Sequence, residues 1–282
     1  MGIHPLAVVS PMAKIAQDVQ IGPFCVIESG VTIGESCRLA SRVVVKQGTT
    51  VGRNNQIAEG AVLGGMPQHI NVPDNPGWVV IGSGNTIREN VTVHRSLEED
   101  EATIIGDNNL LMVNAHVAHD CRVGNNNIFA NNIMLAGHVT VGDRVYLAGA
   151  AGAHQFCRIG SLAMVGGQSH LSKDVPPYVT VDGLSSYVVG LNQIGLRRAG
   201  YSLEDIRRLK EAYRVIYRSN LTWNEVLTRL REAFSEGPAA QFYQFLSTTT
   251  RGITPERRLP PGATLKLRTG PAPDTRLTAR AG

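Results

Sequence analysis

Aromatic side chains are scarce in this sequence: Phe, Tyr and Trp together make up 5 % of its 282 residues. That excludes a core built on large rings. Cysteine is also rare, with only Cys25, Cys37, Cys121 and Cys157. No apolar run approaches the length of a membrane span, so no membrane insertion is expected. The N-terminus, MGIHPLAVV, lacks a basic segment followed by an apolar one. No signal peptide is therefore expected, and a soluble cytoplasmic protein is the default. Strong charge is missing too. The net charge is +4, and the stretch from Pro255 to Gly282, with six basic and two acidic residues, carries all of it. The rest is neutral overall, which speaks against a nucleic acid partner and for a solvated basic tail.

Glycine, in contrast, is plentiful at 30 residues, which favours short strands joined by tight turns. Their arrangement is periodic. Stepping by six from Ile3 to Leu171 meets an apolar residue at 26 of 29 positions. The phase fails only at His69, Asn75 and Glu99. Glycine often follows, as at Gly22, Gly52, Gly82, Gly106, Gly124 and Gly142. A small or β-branched residue usually stands two places before the apolar one, as at Ala13, Val19, Val31, Val43 and Ala115. A period of six is neither helical nor simple strand alternation. It fits the hexapeptide repeat of a parallel β-helix, with one large and one small side chain turned inward per strand. Three hexapeptides make one coil, so residues 18 apart stack at the strand spacing of about 4.8 Å. All four cysteines fall on the small inward position and none lies 18 residues from another. No disulfide and no catalytic cysteine are expected.

The failures of phase mark loops at about residues 64–78 and 95–103, the second acidic. The β-helix is expected over residues 1–190. A helical domain follows over 191–252, with three helices. The first, from Ser202 as N-cap, places Leu203, Ile206, Leu209, Tyr213, Ile216 and Tyr217 on one face. The second has Thr222 and Glu225 as a capping box, and the third begins near Pro238. Residues 253–282, rich in Pro, Arg and Thr without periodicity, read as a disordered basic tail.

The segment NAHVAHDC, Asn114 to Cys121, concentrates the chemistry. Val117 and Cys121 are inward positions, so His116, His119 and Asp120 avoid the core. Stacking by 18 puts His119 over Gly137 and Gln155, and Asp120 over His138 and Phe156, with His154 adjacent. Three readings fit this edge. His119 is a general base oriented by Asp120, with the Gly137 backbone N–H as oxyanion donor. Alternatively the histidines bind zinc between subunits. Or they form a polar stripe at a subunit contact. No serine or cysteine nucleophile sits in the cluster, which favours direct transfer over a covalent intermediate.

The stretches IGPFCVI, LLMVNAHVAHDC, LAGHVTVGD, HQFCRIG, DVPPYV, GLNQIGLRRAGY and STTTRGI resemble, in order, the UDP-N-acetylglucosamine O-acyltransferases of lipid A biosynthesis. The resemblance covers about residues 1–253. It implies a mainly β fold: a left-handed parallel β-helix with a small C-terminal α-helical domain, assembled as a homotrimer with the active site between subunits. It implies transfer of a 3-hydroxyacyl chain from acyl carrier protein to the 3-hydroxyl of UDP-N-acetylglucosamine, with no cofactor and no metal. His119 then resembles the general base, Asp120 its partner and Gly137 the oxyanion donor. Gln68, His94, His116, His138, His154, Gln155, Asn192 and Arg198 resemble substrate contacts, and Gly167 falls where acyl length is set.

Two departures stand out. The first loop reads PQHIN where the family reads PQDLK or close to it, so His69 replaces an acid and Asn71 a lysine. Ile194 stands where many members carry glutamate. A 3-amino sugar nucleotide, giving N-acylation, is therefore an alternative acceptor. A zinc trimer of the γ-carbonic-anhydrase type is the alternative from another class.

Overall fold

The structure, a computed structural model, describes residues 2–257. The hexapeptide period becomes strands, most of them only two residues long, in three sheets of eleven, nine and eight strands, parallel throughout except for the last pair of the eleven-stranded sheet. Up to His170–Leu171 each strand pairs with the third strand before or after it, so the chain winds as a parallel β-helix. The register is the one the period implies: Val26 pairs with Val44, and His116 with Met134. The inward apolar residues, among them Ile21, Ile33, Leu63, Ile87 and Leu111, are buried in one continuous column. The four cysteines are buried free thiols, three of them, Cys25, Cys37 and Cys121, in that column.

The two loops run over residues 66–77 and 95–101, slightly shorter than their expected bounds. Their flanks are pulled into the sheets as the strands Val62–Gly65, Trp78–Ile81, Thr92–His94 and Ala102–Ile105. Across the loops the pairing offset grows from 18 to 30 (Gln56 with Thr86) and to 24 (Thr92 with His116). Both increments are multiples of six, which is why the apolar phase resumes after each loop.

Two features of the coil escape the apolar pattern. From Phe24 to Gln168, every non-glycine residue with positive φ sits at a multiple of six, including Asn54, Asn90, Asn114, Asp120, Asn132, His138 and Phe156. These are the corners, and asparagine recurs there because its short polar side chain tolerates the left-handed conformation. The second feature is a ladder of buried asparagines at the small inward position. Asn55, Asn85, Asn109 and Asn127 pass side-chain carbonyls to the next coil's backbone N–H at 2.7–2.9 Å. The buried polar groups of that column are thereby largely paired with one another.

The β-helix ends where Val179–Val181 pairs antiparallel with Val188–Leu191. Four helices follow, one more than expected: α1 (Gln193–Arg198), α2 (Leu203–Arg218), α3 (Trp223–Ala233) and α4 (Ala240–Leu246). The additional α1 is only six residues long, too short to show a periodic face, and is started by the Asn192 side chain. The expected capping box of Thr222 with Glu225 is present, and the expected N-cap Ser202 forms a second box with Asp205. Leu203 departs from its expected place on the buried face. It is 82 % exposed, because it opens α2 before the first turn reaches the core. The expectation of disorder from residue 253 also fails over residues 253–257. Ile253 bridges Asp174, Glu256 bridges Val188, and the Glu256 carboxylate accepts from Tyr213 at 2.7 Å and Arg218 at 2.8 Å. The remainder of the expected tail, 258–282, lies outside the described residues. Among those described, no helix is long and apolar enough to cross a membrane.

Candidate active site

The corner after the strand His116–Val117 carries His119 and Asp120, and the next corner along the same edge carries Gly137 and His138. Asp120, His138 and Phe156 are in the left-handed conformation, with φ of 61°, 61° and 65°. They stack as expected: the His138 and Phe156 rings lie nearly parallel at 4.5 Å. His119 and His138 meet edge to face at 5.2 Å.

His119 and Asp120 form a hydrogen-bonded pair, Nδ1 to Oδ2, at 2.7 Å. The carboxylate accepts only, so this bond places the proton on Nδ1 and leaves Nε2 bare. Asp120 is itself held from the second loop. Ser96 Oγ donates to Oδ1, the Leu97 N–H donates to Oδ2 at 3.2 Å, and the Asp120 N–H donates to Thr103 Oγ1 at 2.8 Å. Burial by itself would raise this carboxyl. The hydrogen bonds from Ser96, His119 and Leu97, with His138 nearby, outweigh it and hold Asp120 below its ordinary range. Asp120 is therefore an ionised partner throughout the neutral range.

Above the imidazole lies Gly137. A Cβ there would sit 2.6 Å from His119 Nε2 and closer still to Cε1, so the ring occupies the space a side chain would need. Among the described residues no acceptor takes the Gly137 N–H, whereas the equivalent N–H groups of Asp107, Asn125 and Asp143 along another edge each find a side-chain oxygen.

His119 is not on an open surface, as its outward position suggests. It is 7 % exposed. The first loop brings His69 edge-on to it at 5.8 Å, and His138 and the Gly137 backbone close the other sides. A second pair lies beside it. His94, itself buried, donates from Nδ1 to the Met66 carbonyl at 2.6 Å and packs on His116 at 5.1 Å. His116 Nδ1 meets Thr92 Oγ1 at 2.8 Å. Burial, reinforced by His94 and His119, pushes the His116 imidazole down to about 4, and burial likewise lowers His94.

These depressed values carry a stability cost in acid. The free chain takes up a proton on His116 near pH 6.5, whereas the fold refuses it until about pH 4. The unfolded state thus binds more protons between those values, and stability falls as pH drops through that window. Urea titrations at pH 7.5 and 4.5 check this. His116→Gln should lose clearly less stability between the two than the parent chain, and an equal loss would refute the assignment.

The other expected residues are spread more widely. His154 and Gln155 are exposed one coil beyond Gly137, and Gln68 is exposed on the first loop next to His69. Gly167 lies at the corner on the far side of the nine-stranded sheet, its missing side chain facing the Gly149 carbonyl at 3.2 Å. Asn192 spends its amide on its own chain: Oδ1 accepts the Gly195 N–H at 2.9 Å and Nδ2 donates to the Leu162 carbonyl at 2.9 Å. Arg198 is exposed in the last turn of α1. Neither Asn192 nor Arg198 is hydrogen-bonded to the histidines. A concavity of about 850 Å³ runs along the eleven-stranded sheet past Gln20, Arg38 and Gln56, away from them.

His119, Asp120 and His138 offer donor atoms that all lie within 4.8 Å of one another, the one group among the described residues spaced for a metal ion. Asp120 Oδ2 is already shared there, by His119 Nδ1 at 2.7 Å and His138 Nε2 at 3.6 Å. Sequence reasoning missed Ser96 and Thr103. The only signal for them was that the loop before Thr103 interrupts the repeat.

Comparison with known proteins identifies relatives over most of the chain. The model of the second domain of UDP N-acetylglucosamine O-acyltransferases matches residues 174–254, and the bacterial transferase hexapeptide model matches 12–47 and 102–132. The acyl-[acyl-carrier-protein]–UDP-N-acetylglucosamine O-acyltransferase of Halorhodospira halophila is 47 % identical over 253 residues, covering 89 % of this chain and 98 % of its own. That of Ectopseudomonas mendocina is 49 % identical over 254 residues with the same coverage. The solved structure of LpxA from Acinetobacter baumannii superposes with a TM-score of 0.86 at 45 % identity, covering 90 % of this chain and all of its own. Identities of 47–49 % over nearly the whole length of these relatives place this chain in the UDP-N-acetylglucosamine O-acyltransferase family.

Proposed function

We propose that this chain transfers a 3-hydroxyacyl chain from acyl carrier protein to the 3-hydroxyl of UDP-N-acetylglucosamine, the first step of lipid A biosynthesis. The observation that carries the mechanism is the His119–Asp120 pair beneath Gly137, at 2.7 Å and with Nε2 bare. His119 Nε2 takes the proton of the sugar hydroxyl as its oxygen attacks the thioester carbonyl. The imidazolium that forms is stabilised by the Asp120 carboxylate. The carbonyl oxygen gains charge against the Gly137 N–H. Collapse of the tetrahedral intermediate breaks the C–S bond, and the thiolate takes the proton back from His119. A thioester is already activated, so no nucleophilic side chain is needed.

The site is proposed to be completed in a homotrimer in the cytoplasm, where Asn192 and Arg198 of a neighbouring copy reach the nucleotide. Several cations of the helical region are already paired. Arg207 binds Glu204 and Glu211, Arg208 caps the Ala233 carbonyl, and Arg218 binds Glu256. Arg197, Lys210 and Arg214 form no ion pair among the described residues. They are the better candidates for docking the acidic carrier protein.

The test is a transfer assay with hydroxyacyl carrier proteins of several lengths against UDP-N-acetylglucosamine and its 3-amino analogue, before and after exhaustive chelation. O-acylation unaffected by the chelator is expected. Transfer only to the amino sugar would overturn the acceptor, and loss of activity restored by zinc would overturn the metal-free mechanism.

A further inference from the structure

The edge that carries His119 does not end at Gln155. Its next corner is Ser172–Asp174, reached because the His154 N–H bonds the Leu171 carbonyl at 2.8 Å. This corner is tighter than the others: Val175, not residue 177, pairs with Ile159. The cause is Asp174, which is 1 % exposed and turned inward. It accepts from the Arg158 N–H and Nε, each at 2.9 Å, and from Thr249 Oγ1 at 2.8 Å. Lys173 is left exposed at the turn.

The same aspartate draws the C-terminal segment back onto this edge. Its N–H bonds the Gly252 carbonyl at 3.0 Å and its carbonyl accepts the Thr254 N–H at 2.7 Å. Arg251 is thereby set against Ser172, the residue before the exposed Lys173. Its Nε and Nη2 donate to the Ser172 carbonyl at 3.2 and 3.1 Å, and Nη2 lies 3.4 Å from His154 Nδ1. Among the described residues neither Lys173 nor Arg251 forms an ion pair, whereas the buried Asp174 is already balanced by Arg158. Two uncompensated cations therefore stand on the catalytic edge, three coil spacings or about 14 Å from His119.

We propose that Lys173 and Arg251 bind a phosphate ester, the phosphodiester of the pantetheine arm that delivers the acyl chain. This rests on the acyl-transfer reading above. A guanidinium and an ammonium on one edge suit a phosphate. The separation selects its source. The diphosphate of the acceptor is attached directly to the reacting sugar, whereas the donor's phosphodiester is joined to its thioester by a long flexible arm. The arm would lie along the Gln155 corner, with its thioester beneath Gly137.

The experiment compares Lys173→Ala, Arg251→Gln and the double variant, assayed as full-length protein. Each single change should raise KM for the acyl carrier protein about tenfold, the loss of one charge-assisted contact, while KM for UDP-N-acetylglucosamine moves less than twofold. Arg251→Lys should recover part of the loss. The parent enzyme should also prefer acyl-phosphopantetheine to acyl-pantetheine, which lacks the phosphate, and the double variant should not. A rise in acceptor KM instead would assign the cations to the diphosphate and overturn the proposed source. Unchanged KM values for both substrates would overturn the site. Lys173→Ala removes no hydrogen bond within the fold, so a folding defect in the arginine variant does not shield the proposal. If the parent chain transfers no acyl group at all, the activity reading fails rather than the assignment of these two residues.

Discussion

Replacing His119 with alanine should lower kcat/KM for acyl transfer by about 10²- to 10⁴-fold, the range of a positioned general base. The fold should survive. Asp120 keeps its bonds from Ser96 and Leu97 and its contact with His138 at 3.6 Å, so no uncompensated buried charge is left. The loss should appear in kcat more than in KM, because the proton moves only in the transition state. Asp120→Asn should act through the same atom by a different route. A neutral amide permits the other imidazole tautomer, with the proton on Nε2, and the base is blocked while the ring stays in place. Steady-state rates together with melting curves check both variants. A well-folded His119→Ala enzyme retaining more than a tenth of the activity would end the general-base assignment.

The second large effect is expected from a single methyl group. Gly137→Ala should reduce kcat by about 10²-fold or more, the scale of losing one oxyanion donor or misplacing a reacting group. The backbone is not the obstacle, since Gly137 is not among the glycines with positive φ. The added Cβ would meet His119 Nε2 at 2.6 Å, and the ring cannot rotate away without breaking its 2.7 Å bond to Asp120. Gly149→Ala is the matched control. Its Cβ would meet only the Asn131 carbonyl, at 3.6 Å, an ordinary contact. If the two alanine variants lose activity equally, the effect belongs to the coil as a whole and not to the space above the base.

The contrast between these glycines lies in what each is stacked on. In the sequence Gly137 and Gly149 are both turn glycines of hexapeptides. Only stacking distinguishes them, because one lies over an imidazole and the other over a backbone carbonyl. The asparagines were likewise legible as composition but not as function. Those at multiples of six take the left-handed corners, while Asn55, Asn85, Asn109 and Asn127, one place further on, bond through the core. Helix α1 was invisible because six residues hold too little periodic signal.

The sequence by itself determined the β-helix, its inward positions, the fate of its cysteines and the stacking of Gly137 over His119. It could do so because a period of six residues and a coil of 18 are local properties that repeat without change. Tertiary structure alone decided that His119 is buried, that Ser96 and Thr103 hold Asp120 and its backbone, and that Arg251 returns to stand against Ser172. Those contacts are made by loops and by a chain end, across 17 to 79 residues and outside the repeat. Their geometry is fixed by hydrogen bonds to Asp120 and Asp174, and no local period encodes them.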